Sequence, residues 1–191
     1  MKPIILASAS PRRRELLALT GLKFKVDPGD YEEAMDSHRA PHDLARFLSL
    51  EKARAVAPRH RDAIIIAADT FIVFNGELLG KPRTGGEARR MLRMLSGKSH
   101  SVITGFTVLD TGRGRRLSRS VQTRVWFRRL APGEIDAYVR SGEPLDKAGG
   151  YAIQGLGSLI VRKIEGDFFN VIGLPLSALV ESLKRFGINV L

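Results

Sequence analysis

An α/β fold with a mixed sheet is predicted for this chain, and three observations carry the prediction. Aliphatic runs at 3–7 and 63–74 alternate with segments of helical periodicity. Asn75-Gly76 closes the longer run with the residue pair that a tight hairpin favours. Two strand-like stretches, 100–110 and 116–129, flank a Gly/Arg turn. No internal repeat or low-complexity linker interrupts the 191 residues, so a single domain over 1–191 is expected.

Taken in order, Pro3-Ile-Ile-Leu-Ala7 reads as a short buried strand. Helix 11–20 follows, with Ser10 as N-cap, Pro11 pre-shaped for the first helical position and Gly21 as the stop. Strand 23–27 leads into a polar loop through Asp36, and helix 43–57 carries Leu44, Phe47, Leu48 and Leu50 on its apolar side. Strand 63–74 then ends in the hairpin, and helix 85–95 shows Ala88, Met91, Leu92 and Leu95. After the two long strands, helix 132–141 opens on Pro132 with Glu134 near its start. A Gly-rich segment, 149–157, precedes strand 158–164, and a last helix occupies 175–186.

Composition removes several function classes. Absence of cysteine excludes disulfides and thiolate chemistry, and is compatible with a reducing cytosol. No apolar run approaches the ~20 residues that span a membrane. The N-terminus enters strand almost at once, without a signal-peptide layout, so a cytoplasmic protein is expected. The net charge of +11 and the pI of about 10.5 favour polyanionic partners: nucleotides, nucleic acid or acidic surfaces. Much of the excess lies in Arg113, Arg115, Arg116, Arg119, Arg124, Arg128 and Arg129. Only Trp126 and Phe127 accompany them, too few for a base-stacking platform, and a solvated charged sheet face is the better reading. Walker-type, G-x-G-x-x-G and G-x-S-x-G sequences are all missing. His38 and His42 stand at helical spacing, but Pro41 between them argues against a zinc-binding helix.

The residues that can carry chemistry are few. Arg12, Arg13 and Arg14 fall in the first turn of a helix, against the positive end of its dipole. Such a strand–turn–helix is either a phosphate cradle or a helix end whose arginines splay into water. Asp69 interrupts an otherwise apolar strand, so it requires a cation, a metal or several donors. It is a candidate general base or Mg²⁺ ligand, with a structural ion pair as the alternative. Glu33, in the polar loop, offers a second carboxylate for a hard divalent cation. Lys52 and Lys81 can neutralise charge on a polyphosphate, or lie on the surface. Gln154, in the Gly-rich segment, has the donor and acceptor that suit a pyrimidine edge.

Together these segments resemble the Maf family of nucleoside triphosphate pyrophosphatases. The matching pieces follow the family's order over nearly the whole chain: Ser8-Ala-Ser-Pro-Arg-Arg13, Glu33, Lys52-Ala53, Ala68-Asp69-Thr70 and Gly80-Lys81-Pro82. Ser96-Gly97 with His100-Ser-Val-Ile-Thr-Gly105, then Asp146-Lys147-Ala-Gly149 and Gly173-Leu-Pro175, complete the set. The resemblance implies a mixed, elongated sheet flanked by helices, with two lobes around a central cleft, similar to inosine triphosphate pyrophosphatases. It implies a homodimer and hydrolysis between the α- and β-phosphates, with Mg²⁺ or Mn²⁺ as cofactor. By resemblance, Asp69 accepts the proton of the attacking water and neighbours the metal, and Glu33 helps to place the ion. Ser8, Arg13, Lys52 and Lys81 would hold the triphosphate, with Arg14 left as surface charge.

Arg12, Thr70 and Gln154 of Tyr151-Ala-Ile-Gln154 match the branch that resembles dTTP/UTP pyrophosphatases. The branch acting on 7-methylguanosine triphosphate typically lacks the Thr and the Gln. Gly150, where the first branch often has alanine, departs from the pattern but removes no functional group. A nucleic-acid-binding or septum-formation regulator without hydrolysis is the competing class, and steep salt-dependent binding to DNA or RNA would mark it. The carboxylates at Glu33 and Asp69 speak for metal chemistry instead.

Overall fold

A computed structural model describes residues 2–29, 31 and 39–191. The first strand, β1 (Ile4–Leu6), is wholly buried, and α1 (Pro11–Ala18) leaves it through a four-residue turn. Strand β2 (Phe24–Val26) returns parallel to β1, pairing Ile4 with Phe24. Helix α2 (Pro41–Val56) starts two residues earlier than its apolar pattern suggests, because Pro41 occupies N1, where a missing N–H costs nothing. Strand β3 (Ile64–Phe74) lies parallel to β1 on its other side, with Leu6 opposite Ile66. Asn75 and Gly76, both at positive φ (52° and 84°), turn it into the antiparallel β4 (Glu77–Leu79).

Helix α3 (Gly85–Leu95) is capped by Thr84, whose hydroxyl accepts from the Glu87 N–H. Strands β5 (Ser99–Asp110) and β6 (Arg115–Phe127) follow, then α4 (Pro132–Arg140), short 3₁₀ turns, and β7 (Val161–Glu165) antiparallel to β6. The sheet order is β2-β1-β3-β5-β6-β7, with β4 on β3, so the predicted mixed α/β class is correct. Strand β7 starts later than 158 because Gly155–Leu159 forms a 3₁₀ turn. Helix α5 (Phe168–Ile172) has no counterpart in the sequence reading, since five residues are too few to show a period. Helix α6 (Leu176–Lys184) closes the chain.

The chain divides into two compact units. One comprises Met1–Asp69, Thr104–Val121 and Gly173–Leu191; the other comprises Thr70–Ile103 and Gln122–Ile172. The first packs Ile5, Ala7, Ile65 and Ala67 against Ala53 and Val56 of α2. The second buries Phe74, Leu92, Leu95, Phe127, Tyr138 and Tyr151 around α3 and α4. Arg113, Arg115, Arg116, Arg119 and Arg124 are exposed, as the charged-face reading expects.

In the first unit α2 rests directly on the backbone of β5. A Cβ at Gly105 would stand 2.0 Å from the Ala45 carbonyl oxygen, a rigid main-chain atom. Gly105→Ala is therefore expected to destabilise the fold by about 1–3 kcal/mol or more, read as a lower urea midpoint with unchanged slope. Beside this contact a chain of hydroxyls links three elements: Ser49 of α2 to Thr107 of β5 at 2.8 Å, and Thr107 to Ser118 of β6 at 2.7 Å. Each hydroxyl thereby finds a partner.

Candidate functional site

The N-cap of α1 forms as expected: the Ser10 hydroxyl accepts from the Arg13 N–H at 3.5 Å, and Pro11 occupies N1. No acidic side chain shares the first turn, so Arg12, Arg13 and Arg14 are its only charges. They do not behave alike. Arg14 is exposed, whereas Arg12 and Arg13 are half-buried. Arg13 Nε donates to the Gly173 carbonyl oxygen at 2.9 Å, and its Nη1 donates to Ser8 Oγ at 3.4 Å. The buried Ser8 hydroxyl also accepts from the Ser10 N–H at 3.2 Å. With both lone pairs engaged, its proton is directed elsewhere, available to an acceptor such as a phosphate oxygen.

Asp69 and Ser8 project from the same carboxyl edge of the parallel strands, where open α/β sheets bind ligands. Ser8 lies two residues beyond Leu6 and Asp69 three beyond its partner Ile66. Asp69 is buried, and its Oδ1 accepts a hydrogen bond from Lys52 Nζ. The side chains of this pair are 16% and 6% exposed for Lys52 and Asp69, so each ion offsets much of the other's desolvation. The cation that meets Asp69 is thus a lysine one helix away. Thr70 follows on the strand, half-buried, and by the pleat its side chain leaves the face opposite Asp69.

The first unit therefore brings Ser8, Arg13, Lys52 and Asp69 to one edge, and Arg12 precedes Arg13 in the same helical turn. Lys81 and Gln154 belong to the second unit, and both are exposed. They share a tether: the Gly149 N–H at the start of the Gln154 segment donates to the carbonyl of Gly80, the residue before Lys81, at 2.9 Å. Gly149 has a φ of +66°, and a Cβ there would lie 2.4 Å from Ile72 Cδ1, so the glycine is needed at this contact. Within the segment, Tyr151 is buried edge-on to His100 and Phe127, and its hydroxyl meets His100 Nε2 at 2.7 Å. Burial lowers the His100 pKa to about 4 and raises that of the Tyr151 phenol, so both are neutral at physiological pH.

Glu33 and His38 lie outside the described residues. His42 sits in the first turn of α2 with its Nδ1 3.0 Å from Ser120 Oγ. An open groove of about 610 Å³ runs along Arg39, Asp43, Arg46, Phe47 and Leu50 to Arg116. By helical spacing it occupies the side of α2 away from Lys52. Its charges are partly spent, since Arg46 pairs with Asp43 and Arg39 lies 4.2 Å over the Phe47 ring. Gly173 is a contributor that the sequence reading left without a role. It acts through a backbone carbonyl, which side-chain chemistry cannot signal.

Comparison with known proteins gives the family. The family model described as "Maf-like protein" matches residues 3–186. A "dTTP/UTP pyrophosphatase" of Methanosarcina barkeri is 51% identical over 191 residues, covering 100% of this chain and 97% of the relative. Its namesake from Moorella thermoacetica is 50% identical over 190 residues, with 100% and 98% covered. One from Bacillus cereus is 46% identical over 190 residues, with 100% and 93% covered. With a family match over nearly its full length and such relatives over all of it, the chain belongs to the Maf-like protein family.

Proposed function

We propose that the chain is a nucleoside triphosphate pyrophosphatase that hydrolyses dTTP and UTP to the nucleoside monophosphate and pyrophosphate. The observation that carries this reading is the buried Asp69 carboxylate, paired with Lys52 at the strand edge that also presents Ser8 and Arg13. An anhydride needs cations and donors around its charged oxygens and a carboxylate to receive the proton of the attacking water. The relatives' names supply the substrate class.

In this mechanism the Arg13 guanidinium, oriented at Nε by Gly173, supplies positive charge to the phosphates, and the Ser8 hydroxyl donates beside it. Lys52 holds the Asp69 carboxylate in place, and Asp69 takes a proton from water as that water attacks phosphorus. Lys81 neutralises charge on the triphosphate, and Arg12, Thr70 and Gln154 bear on the base. No group of three metal-binding side chains occurs among the described residues. A magnesium or manganese ion needs only one or two carboxylates and completes its shell with phosphate oxygens and water. Asp69 would be one ligand and Glu33 the second, and the bound ion would stabilise the departing pyrophosphate.

No described helix is long and apolar enough to cross a membrane. The family resemblance supports a cytoplasmic homodimer, which light scattering of the purified chain tests. The function itself is tested by pyrophosphate release over a panel of pyrimidine, purine and 7-methylguanosine triphosphates with Mg²⁺ or Mn²⁺. Turnover of dTTP and UTP is expected, abolished by excess EDTA and restored by the metal. Preferred turnover of 7-methylguanosine triphosphate would move the chain to the other branch, and no turnover would remove the enzymatic reading.

A further inference from the structure

We infer that Glu143 is a positioning residue for nucleobase selection, holding the turn that carries Gln154; the inference rests on the pyrimidine reading proposed above and deepens it. Gln154 stands at the N-cap of the 3₁₀ turn Gly155–Leu159, with φ −100° and ψ 166°, and caps nothing with its own side chain. The first N–H groups of such a turn need acceptors from elsewhere. The Glu143 carboxylate provides them: Oε2 accepts from the Leu156 N–H at 3.0 Å, and Oε1 from the Gly157 N–H at 3.0 Å. Oε1 also accepts from the Tyr138 hydroxyl at 2.8 Å, and that hydroxyl accepts from the Ala152 N–H at 3.1 Å.

One carboxylate and one phenol therefore grip the backbone two residues before Gln154 and two residues after it. The sequence is adapted to this approach. Gly155 has a φ of +66°, and a Cβ there would stand 2.7 Å from Glu143 Oε2. Upstream, the buried Tyr151–His100 contact and the Gly149–Gly80 bond anchor the same segment. Gln154 itself remains exposed, as a group meant for a ligand must be. A glutamate suits position 143 because both of its oxygens accept and its charge strengthens each bond. A glutamine there offers only one accepting oxygen, so at least one of the backbone bonds is lost.

Steady-state kinetics on dTTP and dGTP, with Glu143→Gln, Gln154→Ala and the double variant, tests the inference. Glu143 is half-buried, so the substitution opens no cavity, and unchanged thermal melting checks that the fold is retained. Glu143→Gln is expected to raise the dTTP KM about tenfold with kcat changed less than about twofold. The dTTP-to-dGTP ratio of kcat/KM should fall by a similar factor. Because Glu143 acts through Gln154, it should add nothing in the Gln154→Ala background. Equal loss of kcat on both substrates, additive effects in the double variant, or no change in KM would overturn the inference. A silent Glu143→Gln beside an effective Gln154→Ala removes this inference alone. A Gln154→Ala that leaves the ratio unchanged removes it together with the pyrimidine role of Gln154.

Discussion

Asp69→Asn is expected to lower kcat for dTTP by about three orders of magnitude, the scale that loss of a positioned general base produces. The substitution keeps shape and volume but cannot receive a proton from water. It also leaves the Lys52 ammonium, 16% exposed, against a neutral amide, which costs about 2–4 kcal/mol of stability. The two effects separate in experiment. Urea unfolding gives the folded fraction, and kcat per folded molecule gives the chemistry. Activity lost only in proportion to unfolding would make the Lys52–Asp69 pair a structural ion pair and nothing more.

Arg13→Lys comes next in size, with kcat/KM falling about a hundredfold. Net charge is unchanged, so the loss measures the guanidinium fork rather than positive charge. Arginine reaches the Gly173 carbonyl through Nε and Ser8 through Nη1, two fixed bonds from one planar fork. A lysine has one ammonium at the end of a flexible stem and cannot hold both bonds in that geometry. Kinetics within twofold of the parent would show that Arg13 supplies charge alone.

Much of this was legible from residue types and spacing. The Ser10 cap, the Pro11 start and the Asn75-Gly76 hairpin are local events, set by the backbone preferences of a few neighbouring residues, and all three form. Asp69 announced itself through desolvation, since a carboxylate among Ile64, Ile65, Ile66, Ala67 and Ala68 must find a partner. Which cation it finds depends on how α2 lies over β3, and several lysines and arginines were equally placed in sequence. The grip of Glu143 on Leu156 and Gly157 was illegible for another reason. Two of its three bonds involve backbone N–H groups, which every residue but proline carries. Helix α5 has a local cap, Asp167 accepting from the Asn170 N–H, but its start is pinned by a tertiary bond, Thr123 Oγ1 donating to the Asp167 carbonyl.

The hydroxyl chain from Ser49 through Thr107 to Ser118 bears on how this strand pair avoids its own misalignments. The first half of β6, from Arg115 to Gln122, is polar or half-exposed, so hydrophobic contrast between its faces does little to choose a pairing. A slip of one residue would turn the faces over and set Leu117 or Arg119 against Thr107. Leucine would leave the Thr107 hydroxyl short of a bond, and arginine would drive a guanidinium into a site fitted to a hydroxyl. The three small side chains thus act as a key, rejecting neighbouring alignments of an arginine-rich ribbon that apolar burial alone would scarcely tell apart.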